Sequence, residues 1–198
     1  MPAPLLIDTP RLQLLATHPG LAESVALFYQ RNAAHFAPWD PPLPADHVQP
    51  QRVAQSLAEG REAFEAGASH RWWLLRRDVP QCVIGSVHLS HIVRGPFQSC
   101  TLGYAIDATQ QGLGLMHEAL RAVIDQAFST ALALHRIQAA VRPENHRSLA
   151  IVQRLGFRDE GLAFDYLYID GAWRDHRIFA LTTAAFALPE DWPRKVPE

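Results

Sequence analysis

Gln111-Gly112-Leu113-Gly114-Leu115-Met116 stands where the hydrophobic period of the chain changes. Before it, residues 100–106 form a short apolar run of strand character. After it, Met116, Leu120, Val123, Ile124 and Ala127 share one face of a helix, and Ile137, Ala139 and Val141 then alternate. A β-α-β unit follows from that order. Glycines at a helix start let the backbone pass close to a ligand, while the first helical amides point outward at the positive end of the dipole, an arrangement that binds phosphate. A plain tight turn between strand and helix would leave the same trace. The spacing is neither G-x-G-x-x-G nor a loop closed by Gly-Lys-Ser/Thr, so a nucleotide is not held in either of those ways.

Working upstream, Leu12, Leu14 and Ala16 alternate as a strand, and Leu21, Val25 and Phe28 fall at helical spacing. The proline-rich stretch 38–44 interrupts any helix, and Asp46 is the expected N-cap of a second one through Val53, Leu57 and Phe64. Residues 71–75 and 82–89 read as strands joined by a hairpin turn at Asp78-Val79-Pro80-Gln81. Downstream, Ser148, Ile151, Val152 and Leu155 predict a short helix stopped by Gly156, and runs 164–169 and 173–181 form a hairpin through Asp170-Gly171. The expected fold is therefore α/β, with a mixed sheet of about seven strands flanked by about four helices. One domain over residues 1–198, with its core at about 7–185 and a loose tail from Pro189, accounts for the whole chain.

Composition narrows the function classes. The 198 residues are 48% hydrophobic and 19% charged, with a net charge of -2. Such a balance supplies no global field for nucleic acid, although it leaves room for a local acidic groove. No window approaches the roughly 18 apolar residues of a membrane helix and the N-terminus lacks a signal-peptide pattern, so a cytoplasmic protein is expected, a monomer or a homodimer. Cys82 and Cys100 read as reduced core residues. His88 and His91 have a ligand-like gap, but on a strand they face opposite sides, so no metal is expected.

The polar segment Val141-Arg142-Pro143-Glu144-Asn145-His146-Arg147-Ser148, followed by Leu155-Gly156-Phe157, makes the reading specific. A Q-x-x-G loop about thirty residues before an N-x-x-S…L-G-F segment resembles the GNAT superfamily of N-acetyltransferases, whose sheet is splayed at its centre. Thr9-Pro10-Arg11-Leu12, Asn32-Ala33-Ala34-His35-Phe36-Ala37-Pro38-Trp39-Asp40-Pro41 and Tyr166-Leu167-Tyr168-Ile169-Asp170-Gly171-Ala172-Trp173-Arg174-Asp175-His176 are similar to the ribosomal-protein-alanine N-acetyltransferases within it. The resemblance spans about residues 7–185.

It implies acetyl-CoA as cosubstrate and no metal. Gln111, Gly112, Leu113, Gly114, Leu115 and Met116 would cradle the pyrophosphate, Asn145 and Ser148 would line the pantetheine arm, and Tyr104 and Ile106 would flank it on the strand. Met116 departs from the small residue usual there and is expected to crowd the loop. Ser148 is the candidate proton donor to sulfur, with a helix-start serine as the structural alternative. No base carries over, because Leu167 stands where some relatives have glutamate. Asp40 can attract and deprotonate an amine through water, or be an ordinary solvated carboxylate. Trp39 is a candidate wall of the acceptor groove, whereas Trp72, Trp73 and Trp173 read as core. Gly103 fits either a bulge that splays the strand or a close backbone approach. Asp175-His176 reads as a hairpin hydrogen bond. The implied reaction is acetyl transfer to the N-terminal α-amine of a peptide or protein, a ribosomal protein first. The alternatives are a small amine such as an aminoglycoside or polyamine, or a non-catalytic acyl-CoA-binding protein.

Overall fold

The computed structural model describes residues 3–188 and residue 192, so most of the tail from Pro189 lies outside the described residues. Eight strands form one sheet: β1 (Leu6–Asp8), β2 (Leu12–Ala16), β3 (His70–Arg76), β4 (Val79–Val93), β5 (Ser99–Ile106), β6 (Arg136–Val141), β7 (Arg158–Ile169) and β8 (Ala172–Thr182). They lie in the order β1-β2-β3-β4-β5-β6-β8-β7. The helices are α1 (Ala22–Phe36), α2 (Pro50–Glu65), α3 (Leu115–Phe128) and α4 (His146–Arg154). The strand beyond the expected seven is β1, whose three residues are too few to show an alternation.

Neighbouring strands are antiparallel except β5 and β6, which α3 joins as a crossover and which run parallel. That pairing covers only Ser99–Arg136, Cys100–Ile137 and Thr101–Gln138. From Leu102 onward β5 stays registered on β4 alone, while β6 continues on β8. The sheet is thus split at its centre. Gly103 does not cause the split: it sits in regular register with His88, and a Cβ placed on it would meet nothing within 4 Å, so neither a bulge nor a close backbone approach occurs there.

Two cores follow from the two faces. Trp72, Leu74, Val87, Leu89 and Leu102 pack with Leu120 and Val123 of α3 and Val152 of α4. Trp73 and Val83 pack on the other face with Phe28 of α1 and with Val53 and Leu57 of α2. Leu120 and Val123 are fully buried, each contributing about 1.5–3 kcal/mol.

Four local expectations are corrected. Helix α2 begins at Pro50 with Gln49 rather than Asp46 as N-cap, because the residue before a proline is pushed to extended backbone, here ψ 135°, and proline suits the first helical position. The β3–β4 turn lies at Arg77 and Asp78, two residues early, where the Arg76–Asp78 ion pair closes it, and Val79 and Pro80 already belong to β4. The first residues of β4 are exposed, so Cys82 is a surface thiol, while Cys100 is buried. Trp173 is 61% exposed next to the hairpin tip, unlike Trp72 and Trp73. At that tip Asp170 and Gly171 have φ of 51° and 73°, the left-handed pair that a tight two-residue turn demands.

Candidate active site

The loop after β5 is braced from three sides. Asp107 is buried; its carboxylate accepts hydrogen bonds from the Thr109 amide (2.9 Å), the Thr109 hydroxyl (2.7 Å), Asn32 (3.1 Å) and the Arg31 guanidinium. Burial would raise this carboxyl, but those bonds outweigh it and hold it at about 2. Asn32 also accepts from the Ala108 amide at 3.0 Å, so α1 grips the chain as it leaves the sheet. Gly112 and Gly114 then turn it with φ of 76° and 75°, and Gly114 is the N-cap of α3 without a side-chain cap. Among the described residues the amides of 112–117 meet no protein acceptor, while that of Glu118 bonds the Gly114 carbonyl.

Guanidinium groups surround these donors. Arg11 donates to the Leu113 carbonyl at 2.8 Å and pairs with Glu118 at 2.6 Å; Glu118 also accepts from the Thr9 hydroxyl and the Arg11 amide. Arg147 of α4 donates to Gln111 at 2.7 Å, and Gln111 in turn contacts His35 of α1 at 3.0 Å. Free amides, left-handed glycines and flanking cations fit a diphosphate. The side chains of Leu115 and Met116 are buried in the core, so Met116 does not crowd the loop. Leu113 is exposed.

Where β5 and β6 part lies a cavity of about 180 Å³. Leu102, Gly103 and Tyr104 form one wall and residues 139–142 the other; Trp39, Asp40, Asn145, Ser148 and His176 complete it. Asn145 is the N-cap of α4, its side-chain oxygen accepting from the Ser148 amide at 3.1 Å. That frees the Ser148 hydroxyl from capping duty and leaves the Tyr104 side chain as its polar neighbour. The Tyr104 hydroxyl reaches the Ser148 carbonyl at 3.4 Å, and burial pushes this phenol up to about 12. Arg142 donates to the Pro38 carbonyl and lies over the Trp39 ring at 5.4 Å, which fixes the tryptophan as a wall. Burial raises the Asp40 carboxyl while the charges of Arg71 and His35 draw it back down, so Asp40 is not a freely solvated loop carboxylate.

His176, on β8, was missed as a site residue. It is 3% exposed, and its Nδ1 lies 3.0 Å from the Arg174 carbonyl. A carbonyl only accepts, so Nδ1 carries the proton and Nε2 the lone pair. Burial lowers its pKa, so the ring is neutral near pH 7. Among the described residues the sealed, unpartnered side-chain atoms are the two ring nitrogens of His70; Nε2 of His176 is not among them and has no protein partner, as befits a group on the cavity wall. Asp175 turns the other way and accepts from the Asp165 amide at 3.0 Å, so no Asp175–His176 bond forms.

Of the expected residues, Trp39, Asp40, Tyr104, Asn145 and Ser148 converge on the cavity. Residues 111–116 form the braced loop. Ile106 stands apart, packed against the core at the end of β5.

Residues 11–158 match the family of the acetyltransferase (GNAT) domain. The chain is 40% identical over 177 residues, 89% of its length and 90% of the relative's, to the [ribosomal protein uS5]-alanine N-acetyltransferase of Escherichia coli (strain K12). Among solved structures, the ribosomal-protein-S5-alanine acetyltransferase of Vibrio fischeri superposes with a TM-score of 0.89 at 31% identity, over 93% of this chain and 100% of that one. Mycobacterium smegmatis RimJ in complex with CoA-disulfide gives 0.80 at 29% identity, over 86% and 81%.

Proposed function

The chain belongs to the GNAT acetyltransferase family and is an acetyl-CoA-dependent N-acetyltransferase, and on that footing we propose that its acceptor is the N-terminal α-amine of a ribosomal protein. One observation carries the reading: the cavity at the split between β5 and β6 holds a neutral histidine, a serine hydroxyl and a carboxylate, beside a loop whose amides meet no protein acceptor among the described residues. The uS5-alanine N-acetyltransferase at 40% identity supports the choice of acceptor. A ribosomal substrate in turn places the enzyme in the cytoplasm.

Acetyl-CoA, when bound, supplies the thioester. The loop amides and the flanking Arg11 and Arg147 hold its diphosphate, and the arm runs into the split past Asn145 and Tyr104. The edge of β5 that β6 abandons offers backbone amides to the thioester carbonyl oxygen. Asp40 draws the ammonium of the acceptor into the cavity, and His176 Nε2 takes a proton from it, directly or through one water, to give the nucleophilic amine. Attack forms the amide C–N bond and breaks the C–S bond. Ser148 delivers a proton to the departing sulfur and regains one from the amine nitrogen as the amide forms, directly or through water, and the proton held by His176 leaves to solvent.

The test uses acetyl-CoA with three acceptors: a peptide with a free alanine N-terminus, the same peptide N-blocked and carrying lysine, and spermidine. Release of coenzyme A with the first alone supports the reading. Turnover of spermidine alone makes the enzyme a small-amine acetyltransferase, and tight coenzyme A binding with no turnover makes it a binding protein. For His176→Gln, kcat should fall at least about a hundredfold, and the acidic limb of the pH profile should disappear. In the wild type that limb lies below pH 6.5, because burial lowers the pKa of His176 and the base is lost on protonation. A retained limb in the variant would remove His176 from this role.

A further inference from the structure

A second cavity, of about 200 Å³, opens between the sheet and α1 and α2, with Tyr29, His47, Ser56, Ser69, Arg71 and His88 in its wall. Arg71 is the arginine in that wall. Register places Arg71 of β3 opposite His88 of β4, and His88 opposite Gly103 of β5, so the three stand in a row on one face of the sheet and Gly103 opens onto the reaction cavity. Asp40 joins the two spaces. It lines the first, and its charge is felt by both Tyr29 and Arg71 of the second.

Arg71 is held ready for an anion. Its guanidinium lies over the Trp73 ring at 5.6 Å and donates to His88 Nδ1 at 3.1 Å. Burial, and then the charge of Arg71, push His88 down to about 3, so the histidine is neutral and offers no charge in return. Among the described residues no carboxylate lies within ion-pairing distance of Arg71, and Asp40 acts on it only from further off. The planar fork of a guanidinium matches a carboxylate, and the hydroxyls of Tyr29, Ser56 and Ser69 lie around it.

We infer that this cavity is a carboxylate subsite of the acceptor groove, in which Arg71 reads an aspartate or glutamate at the third or fourth residue of the incoming N-terminus. The position follows from spacing. Arg71 is two strands from Gly103, about 10 Å at roughly 4.8 Å per strand, and an extended chain covers that distance in about three residues. An acceptor with its ammonium near Asp40 and a carboxylate three residues on matches both charges in the groove. The inference rests on the peptide acceptor proposed above.

The experiment is a set of alanine-initiated peptides with glutamate, glutamine or lysine at position 2, 3, 4 or 5, assayed at saturating acetyl-CoA. Glutamate at position 3 or 4 should raise kcat/KM over glutamine by at least about fivefold, mainly through KM, with lysine lowest. Arg71→Gln should bring the glutamate peptide down to the level of its glutamine counterpart. Coenzyme A affinity and Tm of the variant report that it is folded; Arg71→Lys, which keeps the charge on a compact ammonium, should retain part of the preference if Arg71→Gln fails that check. Equal rates for glutamate and glutamine at every position overturn the subsite and leave the peptide reading intact, as does a preference that survives in Arg71→Gln. Turnover of none of the peptides overturns both.

Discussion

Gly114→Val tests the diphosphate loop. Gly114 has φ 75° and ψ 3°, so any L-residue there sits in the left-handed region at a cost of about 1–2 kcal/mol, more when β-branched. Space is not the obstacle, since a Cβ would lie 3.5 Å from the Arg11 guanidinium, an ordinary contact. The variant should therefore fold, with Tm lowered by a few degrees. The branched methyls would fall where the proposed site brings the diphosphate to the amides of α3, beside the bond from Arg11 to the Leu113 carbonyl. Relaxing the strain by moving φ would turn those amides away, and leaving it would put carbon against phosphate. Either way coenzyme A affinity should fall at least tenfold, about 1.4 kcal/mol. Gly67→Val is the control: its φ is 70°, nothing lies within 4 Å of its Cβ, and it follows α2, away from the loop. Calorimetry should show similar destabilisation of both variants but weakened coenzyme A binding only for Gly114→Val. Unchanged binding in a folded Gly114→Val protein, or equal weakening in the control, would refute the assignment.

Ser148→Ala should lower kcat by ten- to a hundredfold with little change in KM, since a proton donor to the leaving sulfur acts in the transition state; a rise in KM at constant kcat would make the hydroxyl a mere contact. Glu118→Gln removes the charge that holds Thr9 and Arg11 against α3, and because Arg11 is half exposed the loss should be about 1 kcal/mol by urea unfolding, with coenzyme A affinity down a few-fold. An unchanged affinity would detach this clamp from the loop. His70→Leu addresses a buried imidazole whose two ring nitrogens have no partner, pushed from 6.5 to about 4 by burial and then by the charge of Arg94. Between those values the unfolded chain binds the proton and the folded one does not, so this contribution is intact above pH 6.5 and is lost as pH falls toward 4. The variant should be at least as stable as wild type at pH 7.5 and gain about 2 kcal/mol on it at pH 5; parallel stability–pH curves would contradict this.

The unit around residues 111–116 was legible because its signals are local: a change of period, two glycines and a helix start. The Asp170-Gly171 turn and the Gly156 stop were legible for the same reason, and both take the left-handed backbone that their residues permit. The split in the sheet was expected from family resemblance, and its physical cause is not local. Pairing of β5 with β6 simply ends at Thr101 and Gln138, with no marker in either strand, and Gly103 was a misleading one. His176 was hidden by its neighbour. Read as a pair, Asp175 and His176 suggest one hydrogen bond, but adjacent residues on a strand face opposite sides, so one meets the Asp165 amide and the other the cavity. Asp107, Arg31 and Asn32 carry no motif at all; 75 residues separate Asn32 from Asp107, and only the packing of α1 on the sheet brings them together. The opening Thr9-Pro10-Arg11 was quoted for resemblance, and the structure supplies its reason, since Glu118 ties it to the first turn of α3.

The acceptor is identified by mass spectrometry of ribosomal proteins from a strain lacking this enzyme, before and after incubation with the purified protein and acetyl-CoA. One acetyl group is expected, carried by the N-terminal peptide of a single ribosomal protein and at least about a hundredfold slower to appear when the His176→Gln variant replaces the wild type. Acetyl groups confined to lysine side chains, or no acetylation of any ribosomal protein by an enzyme that binds coenzyme A and acetylates a small amine, would contradict this expectation.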